Sequence, residues 1–201
     1  MSFEQDFLPY LFPSTNLGRI EMLATVLGII GVILRIRRNI LCMPIGIVMV
    51  LLSSWIYYQY FLYSDMILHI IYAFLQGYGW YAWLHGGTNA TPLPVRMLTV
   101  RMRWIIVGGG LLVTALWGSI MARFTNAVVP FGDAFTTVFA LTAEWLIARK
   151  FFDNWMLWII VDVVAAGIYI YQGLFYFAFL YVIFTMMAVW GMIEWRREVT
   201  A

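Results

Sequence analysis

The chain has 201 residues, of which 64% are hydrophobic and only 11% are charged. A soluble domain is about half apolar and a quarter charged, so this composition excludes an ordinary soluble protein and indicates an integral membrane protein. The net charge of +2 gives no indication of a nucleic-acid partner, and the single cysteine, Cys42, excludes a disulfide framework. We expect no cofactor and no metal centre, because the sequence has neither a phosphate-binding glycine-rich loop nor a cysteine cluster.

Hydropathy divides the chain into seven apolar runs, each close to the length that crosses a bilayer, about 20 residues. The runs lie at about residues 17–35, 40–60, 64–84, 104–122, 134–149, 154–172 and 174–194. We therefore predict an all-α integral membrane protein with seven transmembrane helices. The preceding residues 1–16 contain Glu4 and Asp6 but no basic residue, unlike a signal peptide, and are predicted to be periplasmic.

The basic residues predict the orientation of the chain in the membrane. Most of them follow the first, third, fifth and seventh runs: Arg35, Arg37, Arg38, Arg96, Arg101, Arg103, Arg149, Lys150, Arg196 and Arg197. Only Arg19 and Arg123 fall on the opposite side. Because Lys and Arg accumulate on the cytoplasmic side, the N-terminus is predicted to lie outside and the C-terminus inside.

Two parts of the chain have a similar layout, which predicts an internal repeat. The matching features are an Asn after a basic turn, a Gln near the end of the next helix and a Gly-x-x-x-Trp closing the third: Asn39 and Asn154, Gln59 and Gln172, Gly79–Trp83 and Gly191–Trp195. Helices 1–3 and 5–7 would then run in the same sense on either side of helix 4, a parallel 3+1+3 arrangement of the kind used by some sugar carriers. The predicted parts are a three-helix bundle at 17–84, a cytoplasmic loop and linker helix at 85–122, a second bundle at 134–195 and a cytoplasmic tail at 196–201.

The sixth helix carries a polar and aromatic face, here called the helix-six stripe. Its members are Trp155, Trp158, Asp162, Tyr169 and Gln172, whose spacings of three, four, seven and three place them on one side of an α-helix. Asp162 falls near the middle of a hydrocarbon core about 30 Å thick, where a carboxylate costs roughly 2.5–3.5 kcal/mol. We therefore expect it to face a cavity or a partner and not lipid.

The third helix carries a second face at heptad spacing, the helix-three stripe, formed by Asp65, His69, Tyr72, Gln76, Gly79 and Trp83. We expect both stripes to line one cavity, and three simpler interpretations stay open. Asp65 can cap the helix at its positive dipole end, and His69 can be a buried histidine with its own hydrogen-bond partner. The polar groups can also join helices by hydrogen bonds worth only about 0.6 kcal/mol each.

Interface positions compete with ligand contact for the tryptophans, because Trp is enriched where membrane meets water. Trp145, Trp190 and Trp195 are interpreted as interface residues, whereas Trp155 and Trp158 are predicted ligand contacts. Two interpretations of Glu144 also stay open. It either contributes to the site or pairs with the basic cluster that begins at Arg149.

Two indole faces and one carboxylate suit a flat, cationic heterocycle. Stacking contributes cation–π attraction of about 0.5–2 kcal/mol, and the carboxylate balances the charge. Gln76, His69 and Tyr72 have groups that suit hydroxyls or ring nitrogens. The pattern therefore predicts a carrier for a small aromatic solute.

Several spaced motifs resemble the PnuC family of bacterial vitamin transporters over about residues 20–197. They are N-W-x-x-W-x-x-x-D from Asn154 to Asp162, L-Y-x-D in Leu62–Asp65, Y-G-W-Y-A-W in Tyr78–Trp83 and R-K-x-x-[DE]-N-W in Arg149–Trp155. The resemblance implies seven helices in a 3+1+3 arrangement, a mid-membrane site around the W-x-x-W helix and a homo-oligomer, a trimer. It also implies facilitated uptake of nicotinamide riboside across the inner membrane, with trapping by a cytoplasmic kinase.

The substrate has an alternative within the same family. The nicotinamide-riboside branch tends to carry Asn at the position of Asp162, Gln at that of His69 and Asn at that of Gln76. Aspartates at positions like Asp65 and Asp162 resemble the thiamine-carrying branch. Both solutes are cationic aromatic rings, so thiamine uptake stays open.

Two functions of other classes were weighed against transport. An intramembrane enzyme could use Asp65, His69 and Asp162 as acid–base groups, but no nucleophile with an oriented base is evident, so we expect no enzyme. A retinal photoreceptor needs a lysine within a helix, and the sole lysine, Lys150, lies at a helix edge. That class is excluded.

Overall fold

The computed structural model describes residues 16–61, 63–86 and 92–199. Within them the chain forms seven α-helices: α1 Asn16–Ile36, α2 Cys42–Gln59, α3 Tyr63–His85, α4 Val100–Phe124, α5 Pro130–Ala148, α6 Asn154–Tyr171 and α7 Phe175–Val199. The prediction of seven helices is confirmed. Apart from Asn16, the predicted periplasmic segment 1–16 lies outside the described residues, as does part of the loop after α3.

Three helix boundaries differ by four residues or more from those expected from hydropathy. α5 begins at Pro130, four residues early, and proline is favoured at the first helical position. α4 begins at Val100, four residues early, because the Thr99 side chain accepts a hydrogen bond of 3.3 Å from the Met102 amide. α7 continues to Val199, through the basic residues that hydropathy assigned to the tail. Charged residues are tolerated in a helix once it leaves the hydrocarbon, so apolarity alone underestimates helix length.

Five helices of the described chain, α1, α2, α4, α6 and α7, are long and apolar enough to cross a membrane. α3 and α5 do not reach the same level of apolarity. α3 carries Asp65, His69 and Gln76. α5 carries Asp133 and Glu144. Polar content is therefore concentrated in the helices that the sequence predicted to contribute site residues alongside α6.

The contacts divide the chain into two compact units, Met1–Tyr81 and Ala82–Ala201, and the boundary falls within α3. In the first unit α1 packs on α2, and the Ser54 hydroxyl donates a 3.3 Å hydrogen bond from α2 to the Met66 carbonyl of α3. The Tyr60 hydroxyl, just past α2, donates to Glu21 of α1 at 3.1 Å, and this bond raises the pKa of Tyr60.

In the second unit α4 packs on α5, α5 on α6 and α6 on α7. Close helix approach depends on glycines that face aromatic rings. A Cβ at Gly110 would lie 2.7 Å from the Phe139 ring, and one at Gly118 would lie 2.5 Å from the Phe131 ring. Small residues allow helices to approach in a membrane, where dispersion contacts replace the hydrophobic effect as the force between them.

Three helices end in the same hydrogen-bonded turn. Arg38, Lys150 and Gly173 have φ of 56°, 57° and 74°, and the next residue's amide bonds to a carbonyl five residues back. These bonds are Asn39 to Leu34, Phe151 to Leu146 and Leu174 to Tyr169, at 2.8–2.9 Å. This is the Schellman geometry, in which a left-handed residue satisfies the last carbonyls of a helix.

An extended segment, residues 92–99, lies along the turn between α5 and α6 and is here called the strap. The Arg96 amide donates to the Lys150 carbonyl at 3.1 Å, and the Phe152 amide donates to the Arg96 carbonyl at 2.8 Å. Asp153 accepts from the Leu98 amide at 2.8 Å and from Arg103 Nε at 2.7 Å. The strap thereby fixes the residues that lead directly into α6.

Candidate functional site

Asp162 lies in the middle of α6 with only 4% of its surface exposed. Among the described residues, no group makes a hydrogen bond or ion pair with the carboxyl group of Asp162. A buried polar group nearly always has a partner, and a buried charge without one is costly. Asp162 is therefore the group in the second unit that most needs a ligand.

The remaining members of the helix-six stripe differ in their surroundings. Trp158, one turn before Asp162, is half-buried. Tyr169 is also half-buried, and its ring lies 5.3 Å from both Phe177 and Tyr181 of α7, so it contributes to helix packing. Gln172 is exposed and follows the last residue of α6. The stripe is thus buried at Trp155 and Asp162, half-buried at Trp158 and Tyr169, and exposed at Gln172.

Trp155 is only 2% exposed and packs inside the second unit. Its ring meets Trp195 edge to face at 5.6 Å, and Trp195 lies 6.0 Å from Trp83. Trp195 is fully buried, so its interpretation as an interface residue is wrong. Trp195 lies on the buried face of α7. The sequence shows only that it is near the end of a helix, and this does not reveal which face it occupies. Trp145 and Trp190 are exposed.

Two polar atoms at the start of α6 are buried without a hydrogen-bond partner. They are Nε1 of Trp155 and Oδ1 of Asn154, one a donor and the other an acceptor. The Asn154 amide nitrogen is satisfied, since it donates to the Phe151 carbonyl at 2.6 Å. Leaving a buried group unpaired costs about 1–3 kcal/mol, so these two atoms at the N-terminal turn of α6 are candidates for completion by a ligand.

In the first unit, the outer part of the helix-three stripe is already paired. Asp65 is exposed, and its carbonyl accepts a 2.9 Å hydrogen bond from His69 Nδ1. The His69 ring lies 4.8 Å from Tyr57 and 5.6 Å from Tyr72, which it meets edge to face. His69 and Tyr72 therefore form an aromatic cluster with α2.

Gln76 is the buried polar side chain of this stripe, at 2% exposure, and its Oε1 has no hydrogen-bond partner. The side chain lies directly on Gly46 of α2, so that a Cβ at Gly46 would overlap Oε1. The guanidinium of Arg35 is adjacent, with one nitrogen 3.4 Å from that Cβ position, and Arg35 is itself buried. The helix-three stripe thus adds a third buried polar atom without a partner, after Nε1 of Trp155 and Oδ1 of Asn154.

Glu144 is buried in α5. No group of three or more His, Cys, Asp or Glu residues within the described ranges could hold a metal ion. A cavity of about 430 Å³ lies at the other end of α6, lined by Val128, Val129, Val164, Gly167, Ile168 and Tyr171. Its lining is apolar and contains none of the predicted site residues.

Apolar helices of spanning length define a polytopic membrane protein, and its buried polar groups without partners are candidate ligand contacts. The sequence profile of the nicotinamide mononucleotide transporter family matches residues 18–197. The chain belongs to this family, the PnuC family, and is a multi-pass protein of the bacterial inner membrane.

Two curated relatives and one solved structure illustrate the kinship. The chain is 27% identical over 206 residues to the nicotinamide riboside transporter PnuC of Escherichia coli, covering 90% of this chain and 86% of that protein. It is 25% identical over 178 residues to the riboflavin/roseoflavin transporter RibM of Streptomyces davaonensis, with 87% and 83% covered. The crystal structure of the vitamin B3 transporter PnuC matches with a TM-score of 0.73 at 23% identity, over 98% of this chain and 87% of that one, which shows a common fold.

Some residues of interest were not singled out from the sequence. Gly191 and Asn154 had a signal, because both belong to the repeated features of the two halves. Arg35 and Asp153 had no such signal. Arg35 served only as one of the basic residues that predict orientation, and Asp153 accepts a hydrogen bond from Leu98, which is distant in sequence.

Proposed function

We propose that this protein is a uniporter that takes up nicotinamide riboside across the inner membrane. The solute would move down its gradient and be trapped inside by a cytoplasmic kinase that phosphorylates it. The observation that carries the proposal is Asp162, a buried carboxylate without a partner on the helix that also presents Trp158.

The chemistry of α6 suits a ring that carries a positive charge. A pyridinium ring against an indole gains cation–π attraction of about 0.5–2 kcal/mol, more where water is excluded. A carboxylate adds a charge-assisted contact of about 1.5–3 kcal/mol. The cost of burying Asp162 in the empty protein is then offset when the cation arrives.

The proposed substrate-binding residues fall into two groups. The first group is Trp155, Trp158, Asp162 and Gln76. Trp155 and Gln76 each have a buried polar atom without a partner, Asp162 can balance a positive charge, and Trp158 is the ring one turn before it. The remaining proposed members are Tyr169, Gln172, Tyr72, His69, Asp65 and Glu144. We assign these a weaker role, since Tyr169, Tyr72 and His69 already have aromatic neighbours and Gln172 and Asp65 are exposed.

For the architecture we propose the parallel 3+1+3 arrangement, with bundles at 17–84 and 134–195 joined through 85–122. The N-terminus would lie outside and the tail at 196–201 inside, in a homotrimer. Uptake would run down the concentration gradient, because the sequence shows no group of residues that could couple it to an ion. The movement would be a rocking of the two bundles. We also propose that the protein has no enzymatic activity, since Asp65, His69 and Asp162 lack an oriented nucleophile.

Thiamine is the second candidate substrate. Asp65 and Asp162 favour it, because aspartates at these positions resemble those of the thiamine-carrying branch. Thiamine also contains a cationic aromatic ring, so it suits the same chemistry. The likeness to a riboflavin transporter extends the range of solutes worth testing to an uncharged one.

The test is a binding titration of purified protein with nicotinamide riboside, thiamine, riboflavin and the uncharged dihydro form of nicotinamide riboside. The dihydro form keeps the riboside and carboxamide but loses the positive charge. We expect wild-type protein to prefer the charged form, and Asp162→Ala to bind that form roughly tenfold to a hundredfold more weakly. The affinity of this variant for the uncharged form should change little.

Glu194→Gln is the matched control, because Glu194 is not among the proposed binding residues and its carboxylate pairs with the exposed Arg197 at 3.2 Å. Its affinity should equal that of the wild type. Equal losses of affinity for charged and uncharged ligands in Asp162→Ala would contradict a role of the carboxylate in charge recognition. Tighter binding of thiamine than of nicotinamide riboside would transfer the proposal to thiamine.

A further inference from the structure

Gly191 of α7 lies directly against the indole of Trp155. A Cβ at this glycine would be 2.5 Å from Cη2 and Cζ3 of the indole and 2.6 Å from Cε3. These atoms belong to the six-membered ring, so its benzo edge occupies the space that any other residue would need. Only glycine allows the ring to lie where it does.

The Trp155 ring has little freedom to move aside. Trp195, one turn further along α7, meets it edge to face at 5.6 Å with an interplanar angle of 81°. Trp195 is fully buried, and its ring also lies near Trp83, whose Nε1 donates to the Ile147 carbonyl at 3.0 Å. Gly191 and Trp195 together form a seat that holds the benzo edge of Trp155.

A seat for the benzo edge also fixes the other edge of the indole, where the polar atom lies. Nε1 of Trp155 is buried and has no hydrogen-bond partner. An indole nitrogen can only donate, so the group that completes it must be an acceptor. Nicotinamide riboside and thiamine both have hydroxyl or ring acceptors.

We propose that Gly191 is a positioning residue for substrate binding. By admitting the benzo edge of Trp155, it sets the direction of the indole N–H toward an acceptor on the substrate. This inference rests on the proposed function for its ligand, although the seat itself can be tested without one.

The test is a double-mutant cycle of Gly191→Ala and Trp155→Phe, with thermal unfolding and the Kd for nicotinamide riboside as readouts. Gly191→Ala should lower the melting temperature and weaken binding about tenfold, the loss expected for one hydrogen bond. In the Trp155→Phe background the smaller ring leaves room for a methyl group. There Gly191→Ala should change neither quantity further.

Gly109→Ala serves as the control, because a Cβ at Gly109 would meet nothing within 4 Å. Failure of Gly191→Ala to fold, with recovery in the Trp155→Phe background, would support the seat. Equal effects of Gly191→Ala in both backgrounds, or failure to fold in both, would overturn it. Wild-type protein that binds no riboside, yet shows the thermal coupling, would contradict the proposed function and leave the seat intact.

Discussion

At the scale of single residues, each of the two compact units contains buried polar groups without a partner among the described residues. They include Oε1 of Gln76 in the first unit and, in the second, Oδ1 of Asn154, Nε1 of Trp155 and the carboxyl group of Asp162. Each such group costs about 1–3 kcal/mol in the absence of a partner. A binding protein can tolerate this cost because the ligand supplies the missing partner.

The contact between Gln76 and Gly46 gives a prediction at this scale. Gly46→Ala places a methyl group where Oε1 now lies, and overpacking of this kind costs about 1–3 kcal/mol. Gly77→Ala on α3 meets nothing within 4 Å and should be neutral or stabilising by up to about 1 kcal/mol. Thermal unfolding in detergent compares the two variants, and equal melting temperatures would contradict the placement of Gln76.

Periodicity predicted that Asp162 and Gln76 belong to polar faces, because spacing along a helix is a local property. It could not predict which members already have partners. His69 is paired with the Asp65 carbonyl and with two tyrosine rings, and Tyr169 packs on α7. Trp195 was misassigned for the same reason, since burial depends on residues that are distant in sequence.

At the scale of elements, Asp153 joins the strap to the start of α6. Its carboxylate accepts one backbone and one side-chain hydrogen bond, from Leu98 and Arg103. The Asp153 side chain is mostly buried, whereas Arg103 is 44% exposed, so the backbone bond contributes more than the ion pair. The strap therefore depends on Asp153 more than on Arg103.

This asymmetry predicts the effect of removing each partner. Asp153→Ala leaves the Leu98 amide without its acceptor and should destabilise the protein by about 1–3 kcal/mol. Arg103→Ala should cost about 0–1 kcal/mol, as expected for an exposed pair. The measurement is the melting temperature of each variant. A larger loss for Arg103→Ala than for Asp153→Ala would contradict the role assigned to the backbone bond.

The existence of the helices was predictable from hydropathy, but the strap was not. Residues 92–99 contain Pro92 and Pro94 and have no apolar periodicity, so they were assigned to a loop. Their order comes from pairing of Arg96 with the Phe151 turn, more than fifty residues away in the chain. Such pairing has no local sequence signal.

At the scale of the whole molecule, the turns support the proposed repeat. Of the described residues, those with positive φ are Arg38, Phe61, Lys150 and Gly173. They follow α1, α2, α5 and α6, which are the corresponding helices of the two proposed bundles. The Gly-x-x-x-Trp features also correspond, since Gly79, Trp83, Gly191 and Trp195 are all buried. A non-glycine residue in a left-handed conformation costs about 1–2 kcal/mol, so its recurrence at matching positions favours a shared architecture.

The central claim is that this protein lets a cationic aromatic vitamin precursor equilibrate across the membrane, and uptake into proteoliposomes tests it most directly. Labelled nicotinamide riboside is supplied outside vesicles that contain the wild-type protein, with and without a protonophore, and empty vesicles are the control. The account predicts entry until the inside and outside concentrations are equal, with no effect of the protonophore. Accumulation above the outside concentration that collapses with the protonophore, or entry no faster than into empty vesicles, would contradict it.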